Sequence, residues 1–237
     1  MTTTHHAPPA HRPAAPARGP VPHLALPVAL GAVLILGALA LLAWPARAAL
    51  FVGAAGGTAA SSLASLAGLV ADKGLMALVA ITAGLVLLTW FRDRPRFGLL
   101  AAAGAGTVAA YATSEAVKLL VTEERPCRAV DVATVLACPA PGDWSWPSNH
   151  STIAGALAMS CLFVAPRLWP VVVPLALAVA GARVAAGVHY VHDVASGLAL
   201  GVLVTCLVAL TVHAGAQRLT RRSTSRPSPG ARRTRGR

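Results

Sequence analysis

The chain has 237 residues, 56% of them hydrophobic and only 12% charged, with a mean hydropathy of +0.65. That composition is too apolar for an ordinary soluble domain of this length and points to a membrane protein. A formal net charge of +12 would suit a nucleic-acid partner, but the placement of the arginines follows membrane topology and argues against one.

In chain order, residues 1–23 ("MTTTHHAPPAHRPAAPARGPVPH") are Pro-rich and polar and are expected to be disordered. The first uncharged run, Leu24 to Trp44, is expected to span the membrane. It resembles a signal peptide because "ARA" at 46–48 looks like a cleavage site, but its apolar core exceeds the usual ~7 to 15 residues, so a retained span is favoured. Residues 48–71 are uncharged as well, yet Gly53, Gly56, Gly57, Thr58, Ser61, Ser62 and Ser65 make them poor material for insertion, and an interfacial or re-entrant segment is expected. Gly74 to Phe91 and Phe97 to Ser114 follow as spans of about 18 residues. Two weaker runs come next. Ser151 to Ala165 reaches spanning length only by starting near Ser148, and Leu168 to Ala182 only by continuing through Arg183 toward Val188. Val194 to His213 is the last span, and the Arg-, Ser- and Pro-rich residues 214–237 are expected to form a disordered basic tail. The expected fold is therefore all-α, a six-helix polytopic membrane domain over residues 24–213.

With six spans and the N-terminus inside, one side of the membrane receives Arg12, Arg18, Arg92, Arg94, Arg96, Arg167 and the eight arginines from Arg218 to Arg237. The positive-inside rule makes that side cytoplasmic, and the C-terminus with it. Cys127 and Cys138 fall in the loop after the third span, on the outside, where a disulfide persists; a bridge between them is favoured. Cys161 and Cys206 lie in apolar runs and read as packing residues.

Ionisable groups at membrane depth are costly, which makes them functional candidates. Three clusters stand out: "KLLVTEERP" with Lys118 and Arg125, "WPSNHST" with Ser148, Asn149 and His150, and "RVAAGVHYVHDV" with Arg183, His189 and Asp193. Each has a bland explanation alone. Lys118 can pair with Glu115 three residues back, Ser148 can cap the fourth span, and His189 and Asp193, four apart, can form a structural pair on one helix face. Crossing counts, however, put all three clusters at the same outer membrane edge. Three cations with two histidines and a carboxylate suit an anionic headgroup such as a phosphate.

In that order and at those helix ends, the clusters resemble the type 2 phosphatidic acid phosphatase superfamily, whose pattern is K-x6-R-P, P-S-G-H and S-R-x5-H-x3-D. Lys118, Arg125 and Pro126 match the first part, Pro147, Ser148 and His150 the second, and Arg183, His189 and Asp193 the third. Asn149 replaces Gly and Ala182 replaces Ser. Asn is the best substitute for Gly at a positive φ, so the loop is expected to survive. The resemblance covers roughly residues 70 to 213.

It implies that His189 is a nucleophile forming a phosphohistidine, that Asp193 fixes its tautomer, and that His150 is first general acid and then general base. Lys118, Arg125, Arg183, Ser148 and the backbone at Asn149 would hold the phosphate. It implies no metal and no cofactor. A metal set of His150, His189, His192 and Asp193 is disfavoured beside three cations, which leaves His192 facing solvent or headgroups. The implied substrate is a lipid phosphate or pyrophosphate in the plasma membrane's outer leaflet, with a polyprenyl pyrophosphate favoured and phosphatidate or phosphatidylglycerol phosphate as the other options. The same constellation resembles vanadate-dependent haloperoxidases, against which the six spans weigh. A non-catalytic lipid-binding or transport protein is the alternative, opposed by the gathering of polar groups at one edge. Nothing in the pattern specifies an oligomeric state.

Overall fold

The computed structural model describes residues 22–224. Among these residues all regular structure is helical. Helix α1 (Pro22–Ala43) is followed by a broken helical segment made of α2 (Arg47–Phe51), a π-helical turn (Val52–Gly56) and α3 (Gly57–Ala59). Then come α4 (Ala64–Arg92), α5 (Arg94–Val121), the short α6 (Pro126–Ala129) and α7 (Asn149–Val164). A 3-10 turn (Pro166–Leu168) leads into α8 (Trp169–Ala185), and α9 (Val191–Thr224) is last.

Five helical segments are long and apolar enough to cross a membrane: Ala25–Ala43, Ala64–Arg92, Arg94–Ala129, Pro166–Ala185 and Val191–Leu219. The fourth expected span is the exception. Its helix, α7, has only 16 residues, about 24 Å of rise against roughly 30 Å of hydrocarbon. The chain is cut short at one end by the extended Ser148 and at the other by Ala165, whose φ of −140° precedes Pro166. Burial explains why a short helix is tolerated here, since most of α7 faces protein: α4, α5, α8 and α9 all pack on it.

Residues 48–71 do not form one element. Up to Ala59 they make three short helical pieces, of which Phe51 and Ala55 are buried beside Tyr190; from Ala64 they belong to α4. The second span therefore starts ten residues before Gly74 and carries Asp72 and Lys73, which pair with each other at 2.9 Å on its exposed face. Helix α9 likewise continues through residues 214–224, where a disordered tail was expected. The remainder of that tail and residues 1–21 lie outside the described residues.

Sharp local signals set the helix boundaries. Asp93 breaks α4 from α5, and its side chain accepts a hydrogen bond from the Arg96 amide at 3.1 Å, with Pro95 in the first turn. Beside two small clusters, two large ones form most of the core. One joins α4, α7, α8 and α9 through Leu78, Ala154, Val172, Val179 and Leu198; the other joins α1, α5, α7 and α9 through Ala29, Leu100, Met159, Phe163 and Cys206. Where α7 crosses α9 the backbones nearly touch. A Cβ on Gly155 would stand 2.6 Å from the Leu198 carbonyl oxygen, and one on Gly197 would stand 2.6 Å from that of Ser148. Small residues permit this approach, and it brings the start of α9 against the start of α7.

Candidate active site

The site forms where the last turn of α5, the loop into α7, the end of α8 and the start of α9 meet. Lys118 projects from the last turn of α5, which stops at Thr122 in the left-handed region (φ 49°). The chain then extends through Arg125 and enters a long loop. A disulfide between Cys127 and Cys138 closes that loop on itself, and Arg128 braces it by donating to the Pro139 carbonyl at 2.6 Å and to Glu124 at 2.6 Å. On the other side the turn after α8 holds Gly187, whose φ of +88° suits glycine and whose missing Cβ leaves room for Thr134 of the loop. His189 and Tyr190 sit in this turn, and Asp193 lies in the first turn of α9.

His189 is 1% exposed. Its Nδ1 is 3.2 Å from Asp193 Oδ2, and its Nε2 is 3.1 Å from Arg125 Nη1. Asp193, fully buried, also accepts from the Ser145 hydroxyl at 2.5 Å and from the Tyr190 amide at 2.8 Å, while its own carbonyl takes the Ser148 amide at 3.1 Å. These bonds settle the tautomer. Nδ1 donates to the carboxylate, so Nε2 keeps the lone pair and accepts from Arg125. Burial pushes the His189 pKa down to about 4, with Asp193 opposing that shift and Arg125 and Arg183 adding to it.

Arg125 is 4% exposed and spends every arm of its guanidinium on protein. Nε donates to the Asp143 carbonyl at 2.7 Å, Nη2 to Asp143 Oδ1 at 2.8 Å, and Nη1 to the Val188 carbonyl at 3.0 Å as well as to His189. Lys118 reaches the same Asp143 oxygen at 3.4 Å, closer than Glu115 at 3.9 Å. The Asp143 carboxyl is held below its ordinary range: partial burial works against this, but the hydrogen bond and charge of Arg125, then Lys118, outweigh it. Arg183, buried at the end of α8, donates to the Ala71 carbonyl of α4 at 3.4 Å, and its Nε has no hydrogen-bond partner. His150, half-buried in the first turn of α7, lies within electrostatic reach of Arg183, Arg125 and Lys118. Ser148 is fully buried, with its hydroxyl 3.3 Å from that of Ser151. Cations from three separate segments, two imidazoles and a carboxylate thus gather in one cluster, the arrangement that phosphoryl chemistry uses.

A family model described as the PAP2 superfamily matches residues 99–216, which hold all of these groups except the Ala71 carbonyl. The chain belongs to the PAP2 superfamily. It is 40% identical over 125 residues to the decaprenylphosphoryl-5-phosphoribose phosphatase of Mycobacterium tuberculosis, covering 51% of this chain and 64% of that relative. It is also 35% identical over 95 residues to the undecaprenyl-diphosphatase of Sulfolobus acidocaldarius, covering 40% and 46%. The matches therefore span less than two thirds of the relatives' length. No solved structure matches the chain.

Against the PAP2 pattern, two expectations need correcting. Asn149 is not at a positive φ. It is the first residue of α7, among the described residues only Thr122 has a positive φ without being glycine, and the Asn149 side-chain carboxamide is spent on α5. Its Oδ1 accepts from Ser114 at 2.7 Å and its Nδ2 donates to Glu115 at 2.5 Å. What its side chain does is tie the start of α7 to α5. His192 does not face solvent either. It is 1% exposed, with Nε2 3.2 Å from Glu123 and 3.0 Å from Asp193 Oδ1, stacked on Tyr190 and edge-on to Trp44. Glu123, His192 and Asp193 are the one group among the described residues whose ligand atoms gather within 4.8 Å, as a metal ion would need. Nε2 lies between the two carboxylates and hydrogen-bonds to Glu123, so the trio forms a brace behind Asp193, although His192 Nδ1 and Asp193 Oδ1 make no hydrogen bond of their own.

Sequence reasoning missed Asp143, Ser145 and Glu123. All three contact the site from the loop between α5 and α7, where no helical period ties a residue to a neighbour. The available signal was chemical: "PGDWSWPS" holds the only carboxylate between Asp131 and Asp193.

Proposed function

We propose that the protein is an integral-membrane phosphatase that removes a terminal phosphate from a polyprenyl-linked lipid phosphate or pyrophosphate. The observation that carries this is the Asp193–His189–Arg125 chain, in which one carboxylate orients a neutral imidazole whose free lone pair already meets a phosphate-binding cation. The names of the two relatives support the substrate class: one is a phosphatase of a decaprenyl-linked phosphoribose, the other a diphosphatase of undecaprenyl.

In the proposed reaction, substrate phosphate enters between Lys118, Arg125 and Arg183, with the orphaned Arg183 Nε as one donor. Arg125 turns Nη1 from His189 to a phosphate oxygen, which frees the Nε2 lone pair to attack phosphorus. The bond from phosphorus to the leaving oxygen breaks as the N–P bond forms, and His150 delivers a proton to that oxygen. His150 then takes a proton from water, which attacks the phosphohistidine and restores His189. Asp193 stabilises the positive charge on the ring throughout, and Ser145, Tyr190 and His192 hold Asp193 in place.

The bundle is proposed to cross the plasma membrane six times, with the short α7 as the fourth crossing, the site outside and the C-terminus in the cytoplasm. The arginines at the α4–α5 junction, at Arg167 and beyond α9 support that orientation.

The test is phosphate release by purified protein from a polyprenyl pyrophosphate, a polyprenyl phosphosugar, phosphatidate and phosphatidylglycerol phosphate. His189→Ala is expected to reduce turnover by at least about a thousandfold, on the scale of losing a nucleophile. Vanadate should inhibit and a chelator should leave the rate unchanged. Turnover that survives His189→Ala, or that a chelator removes, defeats the mechanism.

A further inference from the structure

The candidate phosphate-binding cations already hold an anion. Asp143 Oδ1 lies 2.8 Å from Arg125 Nη2 and 3.4 Å from Lys118 Nζ, bridging two cations that are 4% and 5% exposed. The side chain of Asp143 is itself 48% exposed. One carboxylate oxygen shared by a guanidinium and an ammonium is the contact a phosphate oxygen would make.

The loop anchors the backbone of Asp143 separately from its side chain. The Asp143 carbonyl accepts from Arg125 Nε at 2.7 Å, and its amide donates to the Ala140 carbonyl at 3.1 Å. Two residues on, Ser145 is fixed by the Glu123 carbonyl and by Asp193. A turn about the Cα–Cβ bond therefore carries the carboxylate into solvent with the loop in place. Two buried cations side by side would repel and remain undersolvated without a counter-charge. The same pair around a multiply charged phosphate would hold it tightly, product as well as substrate.

Resting on the phosphatase reading above, we propose that Asp143 is an exchange ligand of the phosphate seat: substrate phosphate displaces its carboxylate on arrival, and its return helps expel inorganic phosphate after hydrolysis. A tethered competitor of this kind has a high effective concentration at the seat and weakens every anion that must displace it. It trades ground-state affinity for release, which favours turnover once product departure limits the rate.

The experiment compares full-length wild type with Asp143→Asn, Asp143→Ser and Asp143→Glu in detergent. Inorganic phosphate is titrated calorimetrically into each, and KM and product inhibition are measured with a polyprenyl pyrophosphate. The expected result is that Asn and Ser bind inorganic phosphate at least about threefold more tightly, the scale of losing a half-exposed ion pair, and that KM falls in parallel. Glu should return both toward wild type. A merely structural role would weaken binding or lower the melting temperature without tightening phosphate. Unchanged or weaker phosphate affinity in both the Asn and Ser variants, or no phosphate binding by any of the proteins, overturns the proposal. Tighter phosphate in these variants, with no lipid phosphate hydrolysed by wild type, would uphold the exchange and sink the phosphatase reading alone.

Discussion

His189 is a buried imidazole kept neutral, and this has a cost that pH exposes. Its pKa stands at about 4 in the folded protein against 6.5 for the free side chain. Between those values the unfolded chain binds a proton that the folded chain does not, so stability rises with pH across that window and is lost as pH falls below 6.5. Between pH 6.5 and 4 the stability of wild type should fall more steeply than that of His189→Gln, by on the order of a few kcal/mol at most, as read from the pH dependence of their melting curves. Parallel melting curves for the two proteins would show that the imidazole is not held neutral by its surroundings. Lys118, Arg125, Ser148, His150, Arg183, His189 and Asp193 were legible in the sequence because fixed spacings at helix ends carry them. The opposing carboxylate of Asp143, the hydroxyl of Ser145 and the Glu123–His192 brace were not, because a loop can bring any of its polar residues to the site. Asn149 misled for a related reason: the spacing gave its position but not its backbone conformation, which is that of the first residue of α7.

The crossing of α7 and α9 is the joint on which the site depends at the level of elements, since it places Ser148, the residue before α7, against Asp193. Gly155→Ala would put a Cβ 2.6 Å from a backbone oxygen and 3.2 Å from the Leu198 Cα, neither of which can rotate away. Its expected cost is about 1–3 kcal/mol, the range for overpacking. Gly104→Ala in α5 is the control. Its Cβ meets nothing within 4 Å, so the change should be neutral or stabilise the helix by up to about 1 kcal/mol. Equal melting temperatures for the two variants would remove the close crossing from the account. The long apolar runs made α1, α4, α5 and α9 readable, although their ends differ from those of the runs; α4 starts ten residues early because Asp72 and Lys73, which bound the uncharged run, are carried on its exposed face. The weak signal for α7 reflects its surroundings: Ser, Thr, Gly and Ala suit a helix packed on protein, whereas spans are recognised by side chains that suit lipid.

For the whole molecule, Lys118 of the candidate site and the arginines Arg94 and Arg96 lie at opposite ends of α5. The proposed orientation makes a direct prediction with membrane-impermeant maleimide on intact cells. Asp131→Cys, in the exposed loop beside the site, should be labelled, and Arg167→Cys, at the far turn, should not; the reverse pattern would invert the topology. Cys161 and Cys206 are buried and Cys127 is bridged to Cys138, so the background should be low. The bridged loop belongs to the same picture, because an oxidising exterior is where such a link lasts. The wrapping of α7 also has a mechanical meaning. A 16-residue rod standing alone would force the bilayer to thin around it; surrounded by taller neighbours, it meets almost no acyl chains. If α7 is the fourth crossing, as proposed, swelling or thinning of the membrane would be taken up by the longer helices around it, while the imidazole of His150 at its head would keep its depth.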